Sequence, residues 1–411
     1  MPPKIASFRV RCFSVPKLAE SLSEEPSEWP VLGLTLKARQ ERAILWAGGD
    51  WAQADAPAQV WIRKDTFISE DALKLFVQTI HKRGRTQESL YWNPTGELGI
   101  LQERLMFGKV EPLMYWFGSA TADPDFSEAK ALDVEPNFQP FSIDVPKEQF
   151  GVDMITIPLT DYVVLPTLHW LQLLWANFIG LGPFLWRELG GRNAGWIAWR
   201  AIQASIRTRS VRPHKLIAGV RRIGKKCQIH PSAVVEACWI GDNVKIGANA
   251  VVRGCVIADD VRIEDLAMVE YSFLDCRAVV QRQAMVKFSV LCMRSAVAGV
   301  IQLSVMDRAS SLKRGAYLLD MSFGEKKSQV TVDGVLHDAP LGFVGCCVGA
   351  CTHIGLGVRV APGRTLPPNL QITSDPEVLL RRVPKQIEGA VFVRAGTLMA
   401  HQSTLKESVE D

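Results

Sequence analysis

The stretch "IGDNVKIGANAVVRGCVIADDVRIED" (residues 240–265) nearly repeats itself. Aliphatic residues stand at Ile229, Val235, Ile240, Ile246, Val252, Ile257, Ile263, Val269, Leu274, Val280, Val286 and Leu291, in steps of six, five and six throughout. The unit is therefore seventeen residues, three short strands and three corners. Neither the helical period of about 3.6 nor strand alternation of 2 produces this pattern, whereas a β-solenoid does. Each turn stacks on the last at about 4.8 Å and shares one aliphatic core.

Two ladders of small residues keep the same register: Ala233, Ala250, Ala267 and Ala284, and Cys238, Cys255, Ser272 and Ser289. They fall where a narrow coil turns and space is short. These residues resemble the hexapeptide-repeat, left-handed β-helix proteins, many of which are acyltransferases and some of which are fused to sugar-nucleotide synthesising domains. The left hand follows from the resemblance, not from the period. The register covers residues 227–306 and resumes in "VGACTHIGLGVRVAPGRTL", with Val348, Ile354, Val360 and Leu366 six apart. Between them, 307–343 breaks register, and its "VTVDGVLH" carries the Asp-Gly turn of a hairpin. The expected fold is an α/β N-terminal domain plus a C-terminal left-handed parallel β-helix, a solenoid of about six coils with 17–18 residues per coil.

At 411 residues, with 47% hydrophobic content, the chain has room for two domains. A net charge of +4 gives no argument for nucleic acid as a partner. The first residues, "MPPKIASFRVRCFSVPKLAE", lack the apolar run of a signal peptide, which points to a cytoplasmic protein. Nine cysteines, mostly at small-residue positions of the solenoid, read as core residues in a reducing compartment.

Residues 1–160 form the expected α/β domain. Val60-Trp61-Ile62 reads as a strand ending at Asp65, and Ser69 caps the helix "EDALKLFVQTIHK". "GELGILQE" and "EPLMYWF" read as further strands. This part resembles sugar-phosphate nucleotidyltransferases, where an aspartate at a strand end helps bind magnesium; Asp65 is the matching residue. "LPTLHWLQLLWANFIGL" (165–181) resembles the segment that precedes the β-helix in fused members, with Trp170, Leu173 and Asn177 carrying the match. The Gly-rich phosphate loop of that family is missing from residues 1–50, and "WAGGDWAQAD" sets acids where phosphate would lie. A domain without nucleotidyl transfer is expected, and magnesium only if that domain is active.

Residues 161–226 form an apolar and then basic helical connector. No Asp, Glu, Lys or Arg occurs in 162–186, and basic residues crowd the stretch from Arg187 to Lys226. The connector reads either as a buried helix packing one domain on the other or as a peripheral membrane contact through 162–226. Residues 371–411 read as a tail.

Acyl transfer needs a base that works near neutral pH, and histidine supplies one. His337, in the out-of-register loop, and His353, at a coil corner, are the candidate catalytic residues. Gly349, Gly355 and Gly357, in "GCCVGACTHIGLG", are the candidate corner for an acyl donor, acetyl-CoA or another acyl-CoA. The expected activity is acyl transfer in sugar or sugar-nucleotide modification. The alternative is a non-catalytic scaffold or regulator. The resemblance further implies a small-molecule sugar substrate and a homo-oligomer, a trimer first.

Overall fold

The computed structural model describes residues 8–14, 22, 24–53, 56–107, 111–136, 139–144, 147, 153–190, 221–321, 327–378, 380–384 and 391–400. The N-terminal domain is built on a mixed six-stranded sheet, in the order 50–51, 9–13, 58–63, 114–121, 90–94, 130–134. Among the described residues its α-helices of ten residues or more are α1 (Leu36–Ala47), α2 (Glu70–Lys82) and α3 (Gly96–Leu105). The strand and helix expected around Asp65 and Ser69 lie at Ala58–Arg63 and in α2. Ser69 does not cap α2 with its side chain. Its hydroxyl instead accepts from Val163 N–H and donates to the Asp161 carbonyl, tying the connector to α2. "GELGILQE" is not a strand but most of α3, because Leu98, Leu101 and Leu105 recur at helical spacing and are buried. "EPLMYWF" does enter a strand, Met114–Thr121.

The apolar connector becomes α4 (Trp170–Gly190), a 21-residue helix that includes Pro183. It packs into one core with Val256, Phe273, Val290, Val305 and Cys347 of the solenoid and with Trp29, Phe67 and Leu105 of the first domain. That burial corrects the membrane reading of 162–186: the apolar surface is already covered by protein. No described helix is long and apolar enough to cross a bilayer. Arg187, at the start of the basic stretch, is held by Glu70 and Asp71. Arg192, Arg200, Arg207, Arg209, Arg212 and Lys215 lie outside the described residues. The residues that carried the resemblance of this segment join the two domains. Trp170 Nε1 donates to Thr365 Oγ1 at 2.9 Å, and Asn177 Oδ1 accepts from Leu32 N–H at 2.9 Å.

From Arg222 to Ile372 the chain climbs a prism of three parallel sheets, consistent with a left-handed parallel β-helix. Two faces hold eight strands and the third holds seven. Rungs pair seventeen residues apart, as in Ile229↔Ile246↔Ile263↔Val280, and the aliphatic residues of the repeat are buried except at the two ends, where Ile229 and Leu366 are partly buried. The Cys/Ser ladder fills the corners: Cys238 Sγ, Cys255 Sγ, Ser272 Oγ, Ser289 Oγ and Ser304 Oγ each donate to the carbonyl two residues earlier. Burial pushes the Cys255, Cys292 and Cys347 thiols well above their ordinary range, which keeps them neutral core groups.

The prism is taller than about six coils, and the insertion begins later than residue 307. Residues 305–306, 311–312 and 317–318 form a regular coil, with Leu312 and Leu318 turned inward. The apparent loss of register comes from one corner. Between Ala296–Val297 and Val300–Gln302 the turn is shortened, so that Met285 pairs with Val300. Gly299 makes this possible, since a Cβ there would lie 2.0 Å from the Ala316 carbonyl oxygen. The insertion leaves the prism only after Leu318, forms the hairpin Gln329–Val332/Val335–Asp338 across Asp333-Gly334, and returns at Cys347–Val348. Beyond the last rung, Gln371–Ile372, the expected tail holds a short 3-10 turn and the hairpin Val391–Arg394/Thr397–Ala400.

Candidate functional site

Of the three prism faces, one is covered by α4, and another presents the outward column Gln228, Lys245, Arg262, Val279, Ala296, Ser311, His353 and Gln371, polar except at Val279 and Ala296. Near its upper end Ser311 Oγ and His353 Nδ1 are 2.8 Å apart. The two residues are 42 positions apart in the chain, yet strand pairing sets them on neighbouring rungs. His353 is exposed and Ser311 is nearly covered. The corner that follows them has little bulk. A Cβ on Gly357 (φ +71°) would meet nothing within 4 Å, and one on Gly315 (φ +72°) would meet only Gly357. Both take a left-handed conformation that favours glycine. Lys313 and Arg314 are exposed at this corner, and Leu356 is 67% exposed.

Gly349 and Gly355 have a different job. A Cβ on Gly349 would lie 2.6 Å from Pro368 N, and one on Gly355 2.9 Å from the Ile372 carbonyl oxygen. Their missing side chains let the next coil stack. Of the three glycines expected to receive a donor, only Gly357 faces open space.

His337 is not beside His353. It lies on the inserted hairpin, with its ring 5.3 Å from that of Phe107, which is 5.4 Å from His169. The hairpin thus docks on the first domain, with Val330 and Val332 in the interdomain core and the Pro340 carbonyl accepting from Arg104. His169, at the start of α4, accepts from Leu171 N–H at Nδ1 and bonds the Thr331 backbone. Burial is the main cause that lowers its pKa to about 4, helped by His337 and opposed by Asp333. The unfolded chain takes up this proton near pH 6.5, and the folded chain only near 4. Stability is therefore full above pH 6.5 and falls as the pH drops toward 4, by roughly 3 kcal/mol from this group. Urea unfolding of wild type and His169→Gln between pH 7 and pH 4 should show this slope in the wild type and a shallower one in the variant.

Residues 222–254 match the bacterial transferase hexapeptide profile (six repeats). This segment is a hexapeptide repeat. No curated protein matches the chain. Among solved structures, a Bacillus cereus protein described as an acetyltransferase aligns at 16% identity and a TM-score of 0.16, over 35% of this chain and 79% of that one. A Francisella novicida UDP-N-acetylglucosamine acyltransferase aligns at 14% identity and a TM-score of 0.16, over 34% of this chain and 60% of its own length. At those scores neither likeness supports an activity here.

Away from the hexapeptide prism, Asp65 does not resemble a free metal ligand. It is buried, and its two carboxylate oxygens accept from Arg63 Nε at 3.0 Å and from Arg63 Nη2. Its carbonyl accepts from Thr167 N–H and Oγ1. A carboxylate already neutralised by a buried guanidinium does not suit magnesium, and no cluster of three or more metal-ligating residues occurs among the described residues. Asp65→Ala should destabilise the first domain by about 3 kcal/mol or more, because it leaves the Arg63 charge buried with, among the described residues, Glu111 as its remaining ion-pair partner. Thermal unfolding would measure that loss.

Ser311, a functional candidate, and the buried His169 are residues whose roles the sequence alone did not reveal. Ser311 becomes visible only when the ladder is counted through the short Gly299 corner and across the insertion. His169 differs from an ordinary helix-start residue through its burial and its contacts with Phe107 and with the hairpin.

Proposed function

We propose that the chain transfers an acyl group from an acyl-CoA to a hydroxyl or amine of a sugar or sugar nucleotide, on the polar face of its hexapeptide prism. The observation that carries this is the 2.8 Å Ser311–His353 pair at an open glycine corner. With Nδ1–H donating to Ser311 Oγ, His353 Nε2 holds the lone pair that takes the acceptor's proton. The acceptor oxygen or nitrogen attacks the thioester carbonyl, the C–S bond breaks, and the thiol leaves with a proton. Gly357 and Gly315 leave room for the pantetheine arm, and Lys313 and Arg314 supply positive charge for its phosphates.

His337 belongs in this reading to the interdomain contact rather than to the chemistry. The Arg63–Asp65 pair supports a first domain that performs no nucleotidyl transfer and serves as a rigid support for α4 and the hairpin. A cytoplasmic setting and a homo-oligomer, a trimer where resemblance alone is the guide, complete the proposal. The test is thiol release from acetyl-CoA and longer acyl-CoAs in the presence of amino sugars and nucleotide sugars, beside thermal shift with each compound alone. Acceptor-dependent release is expected. If no acyl-CoA raises the melting temperature and no thiol appears with any acceptor, the scaffold reading replaces this one.

A further inference from the structure

The face that carries Ser311 and His353 runs between two edges of the prism, and its charge is split along its length. On its lower coils both edges bear acids: Asp242, Asp259 and Asp260 on one, Glu264 and Asp265 on the other. On its upper coils, segments 276–283, 293–299, 308–315 and 350–357 contain no Asp or Glu. They expose Arg277, Arg294 and Arg308 on the edge that precedes the face, and Arg282, Lys313 and Arg314 on the edge that follows it. Two acids lie at the start of these corners, yet Asp275 and Asp307 turn their carboxylates to the Cys276 and Arg308 N–H groups. Arg277, Arg282 and Arg308 each meet one exposed or half-buried acid, Asp260, Asp265 and Glu24. Arg294, Lys313 and Arg314 have no ion-pair partner among the described residues.

We propose that the acyl acceptor is itself anionic, a sugar bearing a phosphate or diphosphate ester, held on the Arg294 edge while the donor's phosphates take the Lys313–Arg314 edge. This rests on the acyl-transfer reading and assigns the basic edge that the donor leaves unused. Stacking sets the distance. Arg294 N–H donates to the Cys276 carbonyl, Ala309 N–H to the Met293 carbonyl and Cys351 N–H to the Arg308 carbonyl, so Arg294, Ala309 and Cys351 stand in one column. His353 follows Cys351 by two residues and lies two coils above Arg294, about 10 Å at about 4.8 Å per rung. Small residues, Ala309 and Cys351, fill the column in between. A guanidinium and a phosphorylated hexose together span that gap, with the hydroxyl or amine at His353 Nε2 and the ester at Arg294. Arginine suits the ester because its planar fork holds two oxygens of one phosphate. A neutral sugar gains nothing from this edge, so selection falls on charge.

Isothermal titration of the full chain at low ionic strength tests this without any acyl transfer. Glucose 1-phosphate, glucosamine 1-phosphate and UDP-glucose should bind about tenfold or more tighter than glucose and glucosamine. The two monophosphates against UDP-glucose separate a single phosphate from a diphosphate as the group held. Arg294→Gln should raise the sugar-phosphate dissociation constants about tenfold, the worth of one charge-assisted contact. Arg294→Glu should abolish that binding, with coenzyme A affinity and melting temperature retained. Lys313→Gln/Arg314→Gln should do the reverse, weakening coenzyme A and sparing the sugar phosphates. Sugar phosphates that bind no tighter than the neutral sugars overturn the proposal, whether or not coenzyme A binds. So does binding indifferent to Arg294, or an Arg294→Glu variant that loses coenzyme A to the same degree. A wild type that holds sugar phosphates through Arg294 and no coenzyme A strikes the acyl-transfer reading and leaves the phosphate site standing.

Discussion

Ile246→Asp leaves no folded solenoid. Ile246 is 3% exposed and is the rung between Ile229 and Ile263 in the closed core of the prism. A carboxylate there meets only aliphatic side chains and has no donor within the coil. Burying such a group costs several kcal/mol, whether it stays charged or takes up a proton. Typical domains hold about 5–15 kcal/mol in all. A solenoid also passes damage to its neighbours, because each coil is stabilised by the coils on either side. Circular dichroism should show loss of strand signal and of a cooperative urea transition. Lys245→Ala, on the exposed position next in the chain, should stay within about 0.5 kcal/mol of wild type. A cooperative Ile246→Asp variant would mean that the aliphatic ladder is not the core.

His353→Ala should lower the rate of acyl transfer by roughly a hundred- to ten-thousandfold, the usual contribution of a positioned general base. The loss should fall on kcat, since the imidazole acts on a proton in flight and little on ground-state binding. His353 is exposed, so the melting temperature should hold, which separates a chemical loss from a structural one. Ser311→Ala should cost less, roughly tenfold, because it frees the ring orientation without removing the base. An active His353→Ala variant would move the chemistry elsewhere on the prism and leave the Ser311 pair as a surface contact.

The period of seventeen was enough to name the solenoid, because every inward position of a narrow coil must be aliphatic whatever surrounds it. Leu98, Leu101 and Leu105 were equally legible as a helix, yet "GELGILQE" reads as a strand when its short apolar run is taken without the leucine spacing. The start of the insertion was hidden by one glycine. A corner shortened at Gly299 shifts all later rungs, and only pairing with Met285 shows that the coil continues. The apolar connector was ambiguous for a physical reason: a helix without charge is equally stable against lipid or against a protein surface. The covered face, with Val256, Phe273 and Val290 pointing outward, decides for protein. The same limit applies to the candidate site. Sequence supplied His353 as a residue type at a corner, but a general base needs a partner that orients it. Ser311 is brought to that position by strand stacking across 42 residues of chain. Local chemistry is written along the chain, whereas orientation and cover depend on which segments the fold sets side by side.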